Sequence, residues 1–142
     1  MIEPEQALAV YFDAYRQNRI EDILDWFLYP CHFVSDADDV TLMPLPDREA
    51  CRPGVERVLK WHHTLGVTRR RIVRQTCTKL SPRICCIDAL VDLEDDAGNK
   101  FYDFEGLYTF VRSGESWRVA AITHNQIPRL LACARARGLL EP

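Results

Sequence analysis

Apolar residues at Ala7, Leu8, Tyr11, Ala14 and Tyr15 recur at the three- and four-residue spacing of one helix face. Pro4 suits the first turn of that helix, where a missing N–H removes no intrahelical bond. Gln17-Asn18-Arg19 breaks the pattern. Ile20, Ile23, Leu24 and Phe27 then form a second stripe, which Tyr29-Pro30 ends because the residue before a proline leaves the α region. Cys31–Ser35 reads as a short strand, Asp36-Ala37-Asp38-Asp39 as a turn, and Val40–Leu45 as a second strand limited by Pro44 and Pro46. Pro53 fits the first turn of another helix, with Val55, Val58, Leu59, His62 and Leu65 on one face and Gly66 as its cap.

The period changes from there on. Arg69–Lys79 is rich in β-branched and long side chains, and Ser81-Pro82 breaks it. Ile84–Leu93 alternates, with Ile87, Ala89, Val91 and Leu93 sharing a face. Asp95–Asn99 is a hairpin signal, Lys100–Arg112 alternates again, Ser113-Gly114-Glu115 makes the next hairpin, and Trp117–Asn125 is the last strand. Pro128 opens a final helix that turns Leu130, Leu131 and Ala134 inward and stops at Gly138. Helices early and a strand meander late predict an α+β fold: a curved antiparallel sheet wrapped around N-terminal helices, with a C-terminal helix.

Composition narrows the function classes. At 142 residues the chain reads as a single domain, 1–142, and 47% hydrophobic residues suit a packed core. Eighteen Lys+Arg against 21 Asp+Glu leave a net charge of -3, which argues against nucleic acid as a general partner. The one basic run, Arg69-Arg70-Arg71 with Arg74, is expected to pair across the outer sheet face with Asp88, Asp92, Asp103 and Glu105. No apolar run approaches the ~20 residues that span a bilayer, and the acidic start lacks a signal core, so no membrane partner and a cytoplasmic location are expected. In a reducing compartment the six cysteines read as free, structural thiols. They lack zinc-finger spacing, and neither a metal nor another cofactor is expected.

The element order resembles the nuclear transport factor 2-like superfamily, a cone of curved, cystatin-like sheet closed by helices. The carriers are Ala7–Tyr15 followed by Ile20–Phe27, then Cys31–Asp36, Gly106–Arg112, and the hairpin from Tyr108 through Trp117 to Ile122, which is similar to the end of SnoaL-like domains. The resemblance implies a half-open cavity, homodimerisation through the sheet face, and a range of activities from isomerase, lyase or cyclase to inert binding module.

The candidate chemistry follows from polar groups at inward positions. In ketosteroid isomerases of this fold a catalytic Asp closes the first strand, and Phe33-Val34-Ser35-Asp36 matches that context. By position Tyr11 matches the family's oxyanion-hole tyrosine, and Tyr108 falls where those enzymes carry an acidic donor. Asp36 or His124 is therefore the expected proton carrier, with Tyr11 and Tyr108 stabilising an oxyanion without a cofactor. Tyr15, Trp26, His32, Trp61, His62 and Phe104 are the expected substrate contacts. The competing expectation is a non-catalytic ligand-binding or dimerisation module of the same fold. There His62 and His124 are satisfied core residues, Asp36 is a turn residue, and Trp26, Phe27, Trp61 and Phe104 fill the cone.

Overall fold

The computed structural model describes residues 2–36 and 39–141. The elements run α1 (Pro4–Arg16), α2 (Ile20–Asp25), β1 (Phe27–Asp36), β2 (Val40–Leu45), α3 (Arg48–Leu65), β3 (Arg69–Ser81), β4 (Ile84–Glu94), β5 (Lys100–Ser113), β6 (Ser116–His124) and α4 (Gln126–Ala136). The six strands form one sheet in the order β2-β1-β6-β5-β4-β3. Neighbours are antiparallel except β1 and β6, which run parallel. The fold is the expected α+β arrangement, with helices on the concave side of a curved sheet. Two of the four residues of the expected Asp36–Asp39 turn, Ala37 and Asp38, lie outside the described residues.

The boundaries at α2 and α3 differ most from the sequence reading, and α4 begins at Gln126, two residues before Pro128. The second helix stops at Asp25, and Phe27 begins a strand. Phe27 pairs with Val119, whose N–H donates to the Trp26 carbonyl at 2.7 Å. A helix of six residues has few internal bonds to set against that sheet pairing. The third helix starts one turn earlier than Pro53 suggested. Asp47 is its N-cap and accepts the Ala50 N–H at 2.9 Å, so Pro53 lies inside the helix. Gly66 caps this helix with φ 95°, a left-handed conformation that side chains with a Cβ avoid.

The core joins α1 to the sheet. Leu8, Tyr11 and Phe12 meet Phe27, Ile87, Val91, Phe104, Tyr108 and Phe110, all buried. The Tyr11 ring is the hub, with the rings of Phe12, Tyr15, Trp26, Phe27 and Tyr108 centred within 6.2 Å of it. Glycine inside a strand often marks a bulge or a sharp bend. Gly106 sits instead in regular register with Ala89 and His124, and the β5–β6 bulge falls between Thr109 and Phe110. A Cβ at Gly106 would lie 2.9 Å from the Tyr108 ring, so the glycine is what lets that ring lie flat over the strand.

On the outer face the expected charge ladder forms in part. Arg71 pairs with Asp92 at 2.7 Å and Arg74 with Glu105 at 3.7 Å as expected. Arg69 instead takes Glu94 at 2.7 Å, Asp103 takes Lys100 and Arg129, and Asp88 has no ion pair among the described residues. Arg70 departs from it. Its register partner is Leu93, fully buried on the concave side, because successive strand residues face opposite ways.

Candidate functional site

A cavity of about 460 Å³ lies between the concave sheet and helices α1, α3 and α4. Phe27 and Phe104 belong to the packed core, yet the hollow beside them is not filled. Each wall follows from local alternation. Strand β1 turns Phe33 and Ser35 inward, so His32 and Asp36, one residue out of step with them, are exposed and outside the lining. Helix α1 contributes Tyr11 and Tyr15, one turn apart. Helix α3 contributes Cys51, Val55 and Trp61, β5 contributes Tyr108, β6 contributes Ile122 and His124, and α4 closes the mouth with Gln126, Leu130 and Leu131.

Of the expected site residues, the cavity therefore brings together Tyr11, Tyr15, Trp61, Tyr108 and His124. Asp36 and His32 face away from it. Trp26 meets the Tyr11 ring edge to face and lines a separate groove with Asp22 and Arg118. Phe104 is buried in the core beneath His124, with ring centres 6.4 Å apart. His62 is a satisfied core residue. Its Nε2 lies 2.6 Å from the Tyr102 hydroxyl, which also accepts the Gln126 side-chain N–H at 3.1 Å. Tyr102 thus donates to His62 and ties α3, β5 and α4 together. Burial lowers the His62 pKa to about 3, with the Arg70 charge adding to it.

His124 is neutral. Burial, assisted by the Arg70 charge, lowers its pKa to about 4. Its Nδ1 accepts the Gln126 backbone N–H at 3.0 Å, so the single ring proton sits on Nε2. In this tautomer the imidazole is a hydrogen-bond donor, and protonation at Nδ1 would require giving up the Gln126 bond. The phenols are donors as well. The Tyr11 and Tyr15 hydroxyls share a hydrogen bond of 2.8 Å, and burial raises both pKa values. Burial likewise raises Tyr108, opposed by the Arg70 charge.

The residue that sequence reasoning missed is Arg70. Its guanidinium carbon sits 3.8 Å from the centre of the Tyr15 ring and 5.2 Å from that of Phe12. Its Nε is buried with no hydrogen-bond partner among the described residues. Among the described residues no lining residue is Asp or Glu, and the charged ones on the cavity are Arg70 and, exposed on α3, Arg57. A cationic hollow in a protein of net charge -3 is a local arrangement that the overall balance conceals. Alternation along β3 was the one signal able to reveal Arg70, and three consecutive arginines erase it.

Residues 3–126 match the family model described as NTF2-like protein (DUF6841). The chain belongs to this NTF2-like family. Among curated proteins, none matches its sequence. Solved structures share the fold at low identity. An NTF2-like protein with a cystatin-like fold from Novosphingobium aromaticivorans is 14% identical over 96% of this chain and 86% of that one, with TM-score 0.64. Aln2 from a Streptomyces species is 16% identical over 96% and 99%, with TM-score 0.65. An NTF-2 like protein of unknown function from Shewanella oneidensis is 9% identical over 84% and 93%, with TM-score 0.66. Among the described residues, no helix is long and apolar enough to cross a membrane.

Proposed function

We propose that this NTF2-like protein binds a small, mostly apolar organic molecule in the cavity between its helices and its sheet. The observation that carries the reading is the cavity itself: about 460 Å³, walled chiefly by apolar side chains, with two phenols, a neutral imidazole and a guanidinium converging on it. That volume suits a ligand of one or two fused or linked rings.

Binding is better supported than cofactor-free proton transfer. The carboxylate expected to act as base, Asp36, is exposed and away from the cavity. His124, the other expected proton carrier, holds its proton on Nε2 and spends Nδ1 on the backbone. A base must reach the proton it removes with a free lone pair, and neither residue offers one in the hollow. The phenols suit the recognition of an oxygen on the ligand.

The test is a fluorescence titration with the neutral probe N-phenyl-1-naphthylamine. Gly54 lines the cavity, and a Cβ added there meets nothing within 4 Å. Gly54→Phe is therefore expected to leave the fold intact and abolish probe binding. Equal binding by wild type and Gly54→Phe would place the probe elsewhere and defeat the reading.

A second copy of the chain is the partner we propose. It would dock through the outer sheet face, where Leu107, 44% exposed on the side of β5 opposite Tyr108, is an apolar side chain for it to cover.

A further inference from the structure

We infer that the ligand of this cavity is an organic anion, an apolar body carrying one oxyanionic head of the carboxylate kind that seats against Arg70. The inference rests on the cavity being a binding site and adds the class of molecule it takes.

Four observations carry it. Arg69, Arg71 and Arg74, its neighbours on β3, each pair with a carboxylate, whereas Arg70 has no ion pair among the described residues. Its Nε is buried and unpartnered. A buried donor left without an acceptor is disfavoured, and a charged donor more so, which makes an incoming oxyanion the natural complement. The guanidinium is also held in place: the Tyr15 ring stacks on it at 3.8 Å, and the Tyr15 hydroxyl is fixed in turn by Tyr11 at 2.8 Å. A planar fork oriented by stacking is the geometry that receives an oxyanion with two parallel bonds. Finally, among the described residues no acidic side chain lines the cavity to compete for the cation or repel an anion. The apolar walls from α3 and α4 leave room for the body of the ligand, and the phenols and His124 Nε2–H add donors.

The experiment uses two probes that differ by one sulfonate: 8-anilinonaphthalene-1-sulfonate and the neutral N-phenyl-1-naphthylamine. Wild-type protein is expected to bind the anionic probe at least about tenfold more tightly, the scale of one or two charge-assisted hydrogen bonds. Arg70→Met should remove that preference, read as the ratio of the two probes' affinities within each protein. Arg70→Lys, which keeps the charge but loses the planar fork stacked on Tyr15, should retain only part of the preference, and thermal melts of both variants check that they are folded. Gly54→Phe should abolish binding of both probes.

If both probes bind, Gly54→Phe blocks them, and wild type shows no preference or keeps it in Arg70→Met, the cavity binds ligands but the anion inference is wrong. If neither probe binds wild type, or Gly54→Phe blocks neither, the binding reading and this inference both fall. If Arg70→Met does not fold, loss of the preference in folded Arg70→Gln supports the inference, and its retention overturns it.

Discussion

Individual side chains set both the stability and the charge of the site. His62 and His124 have pKa values lowered to about 3 and about 4, so in the folded protein both stay neutral well below the pH at which they take up protons when unfolded. Between pH 6.5 and 4 the unfolded chain therefore binds more protons than the folded one, and stability falls as pH falls through that window. Each histidine contributes a slope approaching about 1.4 kcal/mol per pH unit, and its stabilisation is fully present above the unfolded pKa of about 6.5. Urea unfolding between pH 7 and 5 is expected to show this loss, and His62→Gln should remove about half of it; an unchanged slope would mean that His62 is not the buried neutral group described. Gly106→Ala tests a second residue-scale point. The added Cβ would fall 2.9 Å from the Tyr108 ring and force it to move, a cost of about 1–3 kcal/mol in urea unfolding. At this scale the sequence was a partial guide. Tyr11, Tyr15, Tyr108 and His124 were legible as inward because each shares an apolar period, whereas Trp61 lies off the stripe read as Val55, Val58, Leu59, His62 and Leu65. Asp36 and His32 face outward because strand parity has Phe33 and Ser35 facing in, which for Asp36 overrides the family context that singled it out.

Elements explain why the hollow stays open. Helix α3 crosses the cavity and is fastened at both ends: Arg48 binds Glu21 and Asp25, Arg52 binds Glu21 at 2.7 Å, and His62 accepts from Tyr102. Glu21 is held at a pKa of about 2 by Arg52 and Arg48. Tyr102→Phe removes the hydroxyl shared by His62 and Gln126, leaving two buried groups unpaired, and is expected to cost about 1–3 kcal/mol in urea unfolding. Gly54, in the middle of α3, works the other way. Alanine there meets nothing within 4 Å and gains helix propensity, so Gly54→Ala should stabilise by about 0.5–1 kcal/mol and raise Tm by a few degrees. A lowered Tm would show that this stretch of α3 has no space beside it. The order and kind of every element could be read from periodicity and from Gly and Pro placement. The boundaries that moved most, at Phe27 and Pro53, did so for reasons outside the local pattern: pairing of Phe27 with Val119, far along the chain, and the N-cap at Asp47.

For the molecule as a whole, the sheet separates two kinds of chemistry. Its outer face pairs Arg69, Arg71 and Arg74 with carboxylates, while its inner face keeps one arginine for the cavity. The exposed Leu107 lies on the outer side, and association through that face should appear in sedimentation as a dimer that Leu107→Arg converts to monomer. A wild type that sediments as monomer at micromolar concentration would dismiss the dimer. The most direct measurement of the central claim is a crystal structure of the protein grown with 8-anilinonaphthalene-1-sulfonate. The expected result is the fused rings between Trp61 and Tyr108 with the sulfonate on the Arg70 guanidinium. Probe bound only on the outer surface, or a hollow closed by repacked side chains, would contradict it.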